Sequence, residues 1–199
     1  MPVAGQRTQR VAIAGLGPIG LKVMQALDRG IDGLTLTAVA VGNPDRPRPE
    51  LDRLSRRPQV LPVAELESVA DIVVECAPAA ILRSIVEPFV ARGKMAVVLS
   101  AGALLTNWDL VEIAKKNGGQ IAVPTGALIG LDAVTAAAEG VIASVRMVTR
   151  KPVEGLLGAP YVVANKIDLE ALTEATKIFE GTARDGAKGF PANVNVAAA

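Results

Sequence analysis

The sequence predicts an α/β protein: a doubly wound parallel sheet followed by a second, smaller α/β domain. Three observations carry this expectation. Val11-Ala-Ile-Ala14 is a short apolar run that ends in Gly15-Leu-Gly-Pro-Ile-Gly20 and opens onto a helix-like stretch, Leu21 to Leu27. Strand-like and helix-like segments then alternate as far as Pro124, the order that builds a parallel sheet through right-handed crossovers. From Thr125 the chain turns small and glycine-rich, which sets the expected domains at 1–125 and 126–199.

Composition agrees. Half of the 199 residues are hydrophobic but only 3% are aromatic, so Ala, Val, Leu and Ile must build the core, as in sheets covered on both faces. The 21 basic residues against 20 acidic ones argue against a nucleic-acid or membrane-surface partner. Cys76 is the single cysteine, which excludes an internal disulfide and fits a reducing compartment. With no signal peptide and no apolar run long enough to span a bilayer, the expected location is the cytoplasm. The chain contains no histidine, so no mechanism that needs an imidazole is complete within these residues.

The first strand and its glycine loop have the layout that a dinucleotide needs. Gly15 permits a tight turn, Gly17 lets backbone approach a pyrophosphate, and Gly20 lets helix and strand pack closely. Pro18 and Ile19 complete the loop, and the N–H groups at the helix start face the phosphates. Leu34 to Val41 reads as the second strand. Where an acidic residue would hold the ribose of NAD, this chain has Gly42-Asn43-Pro44-Asp45-Arg46. Asn43 can bond a ribose or simply form a turn, and Arg46 can meet a 2′-phosphate, so NAD and NADP both stay open.

Residues 43–59, rich in proline and arginine, read as an exposed connection. Val63 to Val69 follows as a short helix, Asp71 to Pro78 as a strand, and Ala79 to Arg92 as an amphipathic helix. The strand tip Cys76-Ala77-Pro78 falls at the carboxyl edge of the sheet, where ligands bind; Cys76 itself suits a small buried filler better than a nucleophile. Met95 to Ser100 is the next strand and leads into Ala101-Gly102-Ala103. Thr106 is a candidate cap, and Asp109 a first-turn acid, of a helix that stops at Gly118-Gly119 before the strand Gln120 to Pro124.

In the second half, Asp132 leads an Ala-rich helix and Val141 to Thr149 alternates like a half-exposed antiparallel strand. Leu169 to Ala175 reads as helix, Lys177 to Glu180 as strand, and Thr182 as the cap of a helix through Lys188. Phe190 to Ala199 begins a further helix without a stop signal, from which a longer protein is expected.

These residues resemble the L-aspartate dehydrogenase family. The similarity runs through Gly15-Leu-Gly-Pro-Ile-Gly20, Pro124-Thr-Gly-Ala127-Leu-Ile-Gly-Leu-Asp132-Ala, Thr149-Arg-Lys-Pro152, Phe179-Glu-Gly181 and Phe190-Pro-Ala-Asn-Val-Asn-Val-Ala197, in the family's order. The resemblance implies oxidative deamination of L-aspartate to iminoaspartate with NAD or NADP. Iminoaspartate then feeds NAD biosynthesis or hydrolyses to oxaloacetate and ammonia. It also implies a homo-oligomer, with no metal expected, Ala127 and Asn193 touching the nicotinamide nucleotide, and the catalytic histidine beyond Ala199. By their residue types alone, Ala127 reads as close packing and Asn193 as a helix cap. Lys151 and Lys188 are basic groups able to meet a substrate carboxylate or to sit as ordinary surface lysines. Two readings compete: an aspartate or related amino-acid or imine dehydrogenase, and a catalytically silent nucleotide-binding module. Ser100-Ala-Gly102 stands where sugar dehydrogenases of the glucose–fructose oxidoreductase type place Glu-Lys-Pro, and the paired histidines of dihydrodipicolinate reductases are absent.

Overall fold

The computed structural model describes residues 7–43, 45–46, 48–125, 129–191, 193 and 195–198. The chain forms two compact units, one of residues 1–100 and 107–123, the other of 101–106 and 124–199.

The first unit is built on β1 (Gln9–Ala14), whose last four residues are all buried. It pairs in parallel with β2 (Leu34–Ala40) on one side and β4 (Ile72–Glu75) on the other. With β3 (Gln59–Val60), β5 (Met95–Val98) and β6 (Gln120–Ala122) the sheet runs β3-β2-β1-β4-β5-β6, every pairing parallel. The order reverses direction between β1 and β4, as a doubly wound sheet requires.

Helix α1 (Pro18–Arg29) returns the chain from β1 to β2 and buries Gly20, Met24 and Leu27, one face at helical spacing. Met24 packs with Val11, Ile13, Val39 and Leu51 in the core on that side. Each such side chain contributes about 1.5–3 kcal/mol by leaving water. One element lies inside the stretch expected to be an exposed connection, α2 (Pro49–Asp52), and β3 begins at the last residue of that stretch. Leu51 is fully buried and explains the first; a two-residue edge strand is too short to show periodicity.

The Val63–Val69 segment is a 3₁₀ turn followed by α3 (Leu66–Val69). The next crossover, a 3₁₀ turn then α4 (Leu82–Val90), buries Leu82, Ile85, Val86 and Phe89. Pro88 stands inside α4, near its carboxyl end, and lacks the N–H that would bond back to the carbonyl of Ser84. Lys94, just before β5, donates to the carbonyls of Glu67 and Ala70 and pairs with the Glu67 carboxylate at 2.6 Å. Helix α6 (Asp109–Asn117) ends at Gly118 in the left-handed region, φ 70°.

Thr106 does not cap α6, contrary to expectation. The N-cap is Trp108, and the Thr106 hydroxyl donates to the Ala103 carbonyl at the end of α5 (Ala101–Thr106). A small-residue run after β5 is thus helical from Ala101 onward.

The second unit contains α5, α7 (Leu131–Ala137), α8 (Pro160–Ala164), α9 (Ala183–Gly189) and α10 (Asn195–Ala198). Its core is an aromatic trio, Tyr161, Phe179 and Phe190, with ring centroids 5.1–5.4 Å apart and Val162 and Leu169 beside them. Thr182 caps α9 with a full capping box through Asp185. Three expected elements are absent. Residues 141–149 form no strand and stay exposed, Val141 at 99%; 169–175 form a turn rather than a helix; 177–180 are irregular. A strand needs a neighbour to take its N–H and C=O groups, and the described residues of this unit contain none. At 169–175 the aromatic core claims Leu169 and Leu172, which are too few apolar positions to hold a helix.

Candidate nucleotide-binding site

The glycine loop lies at the carboxyl edge of the sheet, where the strand order reverses. Gly15 leaves β1 at φ +100° and its N–H donates to Ala40 O at 2.8 Å, while Cys76 N–H donates to Ala14 O at 2.8 Å. A Cβ on Gly15 would stand 2.5 Å from the Cys76 carbonyl oxygen, and one on Gly20 would run into the Gly15 carbonyl. These two glycines are required by the fold itself.

Gly17 differs. It is the N-cap of α1 at φ −78°, and a Cβ there would meet nothing within 4 Å. No side chain caps the helix, no acid occupies its first turn, and Pro18 takes the position whose N–H would be unpaired in any case. Ile19 is 55% exposed beside it. The positive end of a three-turn helix therefore faces an open space that a pyrophosphate fits.

At the tip of β2, Asn43 Oδ1 accepts the Asp45 N–H at 3.0 Å, so the side chain builds the turn. No carboxylate stands at the strand end, and Arg46 is exposed. At the tip of β4, Cys76 lies against Gly20, and Ala77 and Pro78 follow into the next crossover. Burial, and then the neighbouring Glu75 charge, push the Cys76 thiol up to about 11. It is a thiol at neutral pH and acts as a small filler under the loop.

Sequence reasoning passed over Glu75. It is the last residue of β4 and fully buried, and its carboxylate accepts from Ala77, Leu99 and Ser100. The signal in the sequence was a lone acid closing an otherwise apolar strand, Ile72-Val-Val-Glu75.

In the second unit, Ala101 is buried and the Gly102 N–H donates to Asn195 Oδ1 at 3.1 Å, another contact that the sequence did not suggest. Asn193 Nδ2 donates to the Gly155 carbonyl at 2.9 Å. Lys151 and Lys188 are exposed. Ala127 lies outside the described residues. Among the described residues no group of three or more His, Cys, Asp or Glu side chains is placed to hold a metal ion.

Comparison with known proteins now bears on this geometry. Residues 15–124 match the sequence profile of the homoserine dehydrogenase NAD-binding domain, and residues 132–199 match the aspartate dehydrogenase C-terminal profile. The L-aspartate dehydrogenase of Bradyrhizobium diazoefficiens is 64% identical over 190 residues, which are 96% of this chain and 68% of that protein. The chain belongs to the L-aspartate dehydrogenase family. L-aspartate dehydrogenase 3 of Bordetella bronchiseptica is 51% identical, over 95% of this chain and 70% of its own length. Among solved structures, aspartate dehydrogenase from Thermotoga maritima superposes with a TM-score of 0.62 at 18% identity, covering 96% of this chain and 71% of that one. That likeness concerns the fold. Family and fold together make this an NAD(P)-dependent oxidoreductase, with a dinucleotide-binding sheet and an aspartate dehydrogenase C-terminal segment. Among the described residues no helix is long and apolar enough to cross a membrane.

Proposed function

We propose that the protein oxidises L-aspartate to iminoaspartate, which hydrolyses to oxaloacetate and ammonia or feeds NAD biosynthesis. The observation that carries this reading is the 64% identity, over nearly the whole chain, to a protein named L-aspartate dehydrogenase. NAD or NADP supplies the hydride acceptor when bound. L-aspartate loses a hydride from its α-carbon and a proton from its nitrogen, and the C=N bond of the imine forms.

The chain's own part is binding and orientation. The backbone N–H groups of Ile19 and Gly20 at the α1 start, shaped by Gly15, Gly17 and Gly20, take the pyrophosphate. Asn43 lies at the adenosine ribose. Cys76, Ala77, Pro78, Ala101, Gly102, Ala127 and Asn193 belong to the nicotinamide half. Residues 1–125 act as the dinucleotide-binding domain and 126–199 as the substrate and oligomerisation domain. The working form is a cytoplasmic homodimer.

The test is reduction of NAD and of NADP by the purified protein with L-aspartate, followed by absorbance of the reduced nucleotide. Turnover with L-aspartate and none with L-glutamate or L-alanine is expected. Nucleotide binding without turnover of aspartate would overturn the reading in favour of a silent nucleotide-binding module.

A further inference from the structure

The carboxylate of Glu75 joins the two chain segments that leave the paired strands β4 and β5. Its side chain is completely buried, a placement that is costly unless hydrogen bonds replace the lost water. Both oxygens are met by donors. Oε1 accepts the Ala77 N–H at 3.2 Å and the Ser100 hydroxyl at 3.0 Å. Oε2 accepts the N–H groups of Leu99 at 3.1 Å and Ser100 at 2.9 Å.

The donors come from the segment leaving β4 and the segment leaving β5. Backbone amides just past a parallel strand have run out of ladder partners, and a buried amide must find one. A fourth aliphatic residue in β4 would pack at least as well as Glu75 but would leave these amides without acceptors. The acid is therefore placed for geometry at the carboxyl edge rather than for core stability. That edge belongs to the second half of the sheet. With the pyrophosphate at the β1 glycine loop, the nucleotide beyond it lies over the ends of β4 and β5.

We propose that Glu75 is a positioning residue that clamps the exits of β4 and β5, fixing the nicotinamide half of the cradle before the cofactor arrives. This rests on the dinucleotide reading of the glycine loop, and the experiment separates the two.

Dissociation constants for NADH and for ADP-ribose, which lacks the nicotinamide, are measured by calorimetry on the unaltered protein and on Glu75→Gln. The glutamine keeps the size but turns an N–H₂ toward backbone N–H donors. NADH is expected to bind about tenfold more weakly, with ADP-ribose unchanged within about twofold. A purely structural role would weaken both ligands together. Should Glu75→Gln not fold, Ser100→Ala, which removes only the hydroxyl donor, decides the matter: about threefold weaker NADH binding and unchanged ADP-ribose are expected. Equal weakening of both ligands, or no change in either, in the variant that folds overturns the clamp. If the unaltered protein binds neither of these ligands nor NADPH, the cradle reading itself fails and takes the clamp with it; if it binds only NADPH, the same comparison is made with NADPH and 2′-phospho-ADP-ribose.

Discussion

At the scale of single residues, the three glycines of the loop do different work, and substitution should separate them. Gly15→Ala puts a Cβ 2.5 Å from the Cys76 carbonyl at a φ of +100°, so backbone must move. A loss of about 1–3 kcal/mol in stability is expected, read from urea unfolding. Gly17→Ala meets no protein atom within 4 Å. It should cost less than about 1 kcal/mol of stability yet weaken NADH binding by about tenfold, because the new methyl occupies the pyrophosphate's approach. Unchanged NADH affinity in folded Gly17→Ala would remove the phosphate from this position. Cys76 belongs to the same scale: its burial and its contact with Gly20 make it packing, as its residue type suggested.

At the scale of elements, the start of α9 and the stop of α6 were readable, whereas the start of α6 and the unpaired strands were not. Thr182 and Asp185 cap α9 reciprocally: the Thr182 hydroxyl accepts the Asp185 N–H at 3.1 Å and Asp185 Oδ2 accepts the Thr182 N–H at 3.2 Å. Thr182→Ala should therefore cost about 1 kcal/mol, while Thr182→Ser keeps the cap and stays near the unaltered protein. A shared urea midpoint for all three proteins would mean that α9 is held by its packing alone. Gly118 ends α6 as its position predicted, since an αL residue is a local requirement. Residues 141–149 show the opposite case. Their alternation describes a strand, but alternation states only which faces differ, and pairing depends on a neighbour that the described residues of this unit lack.

At the scale of the whole molecule, the sheet is tied at its amino edge by Arg10 and Asp71, which join the starts of β1 and β4. The guanidinium donates to both carboxylate oxygens at 3.1 and 2.8 Å, and the Arg10 N–H adds a third bond. Arg10 holds the Asp71 carboxyl well below its ordinary range, against the opposing effect of burial. Because the folded value is depressed, its contribution to stability is complete above about pH 4 and is lost as pH falls through the folded value. Exposed Asp109, Glu180 and Asp185 are shifted in the same sense by Arg83, Lys177 and Thr182. The difference in melting temperature between the unaltered protein and Asp71→Asn should hence narrow steadily below about pH 4. A difference that does not change with pH would sink the assignment. With Arg10 37% exposed, solvent screening keeps the effect modest.

The sequence by itself determined the alternation of strands and helices in the first unit, the strand–turn–helix of the glycine loop and the family. All three are written in neighbouring residues: apolar runs, glycines at fixed offsets, caps beside the helices that they start. Tertiary structure decided what depends on residues far apart. Glu75 has donors 24 and 25 positions away, and Asn195 meets Gly102 across 93 positions. Leu51 makes α2 part of the core only because β2 and α1 are there to receive it. Local sequence fixes what each segment prefers; the partner that satisfies a buried polar group or an unpaired strand is supplied only by the folded chain.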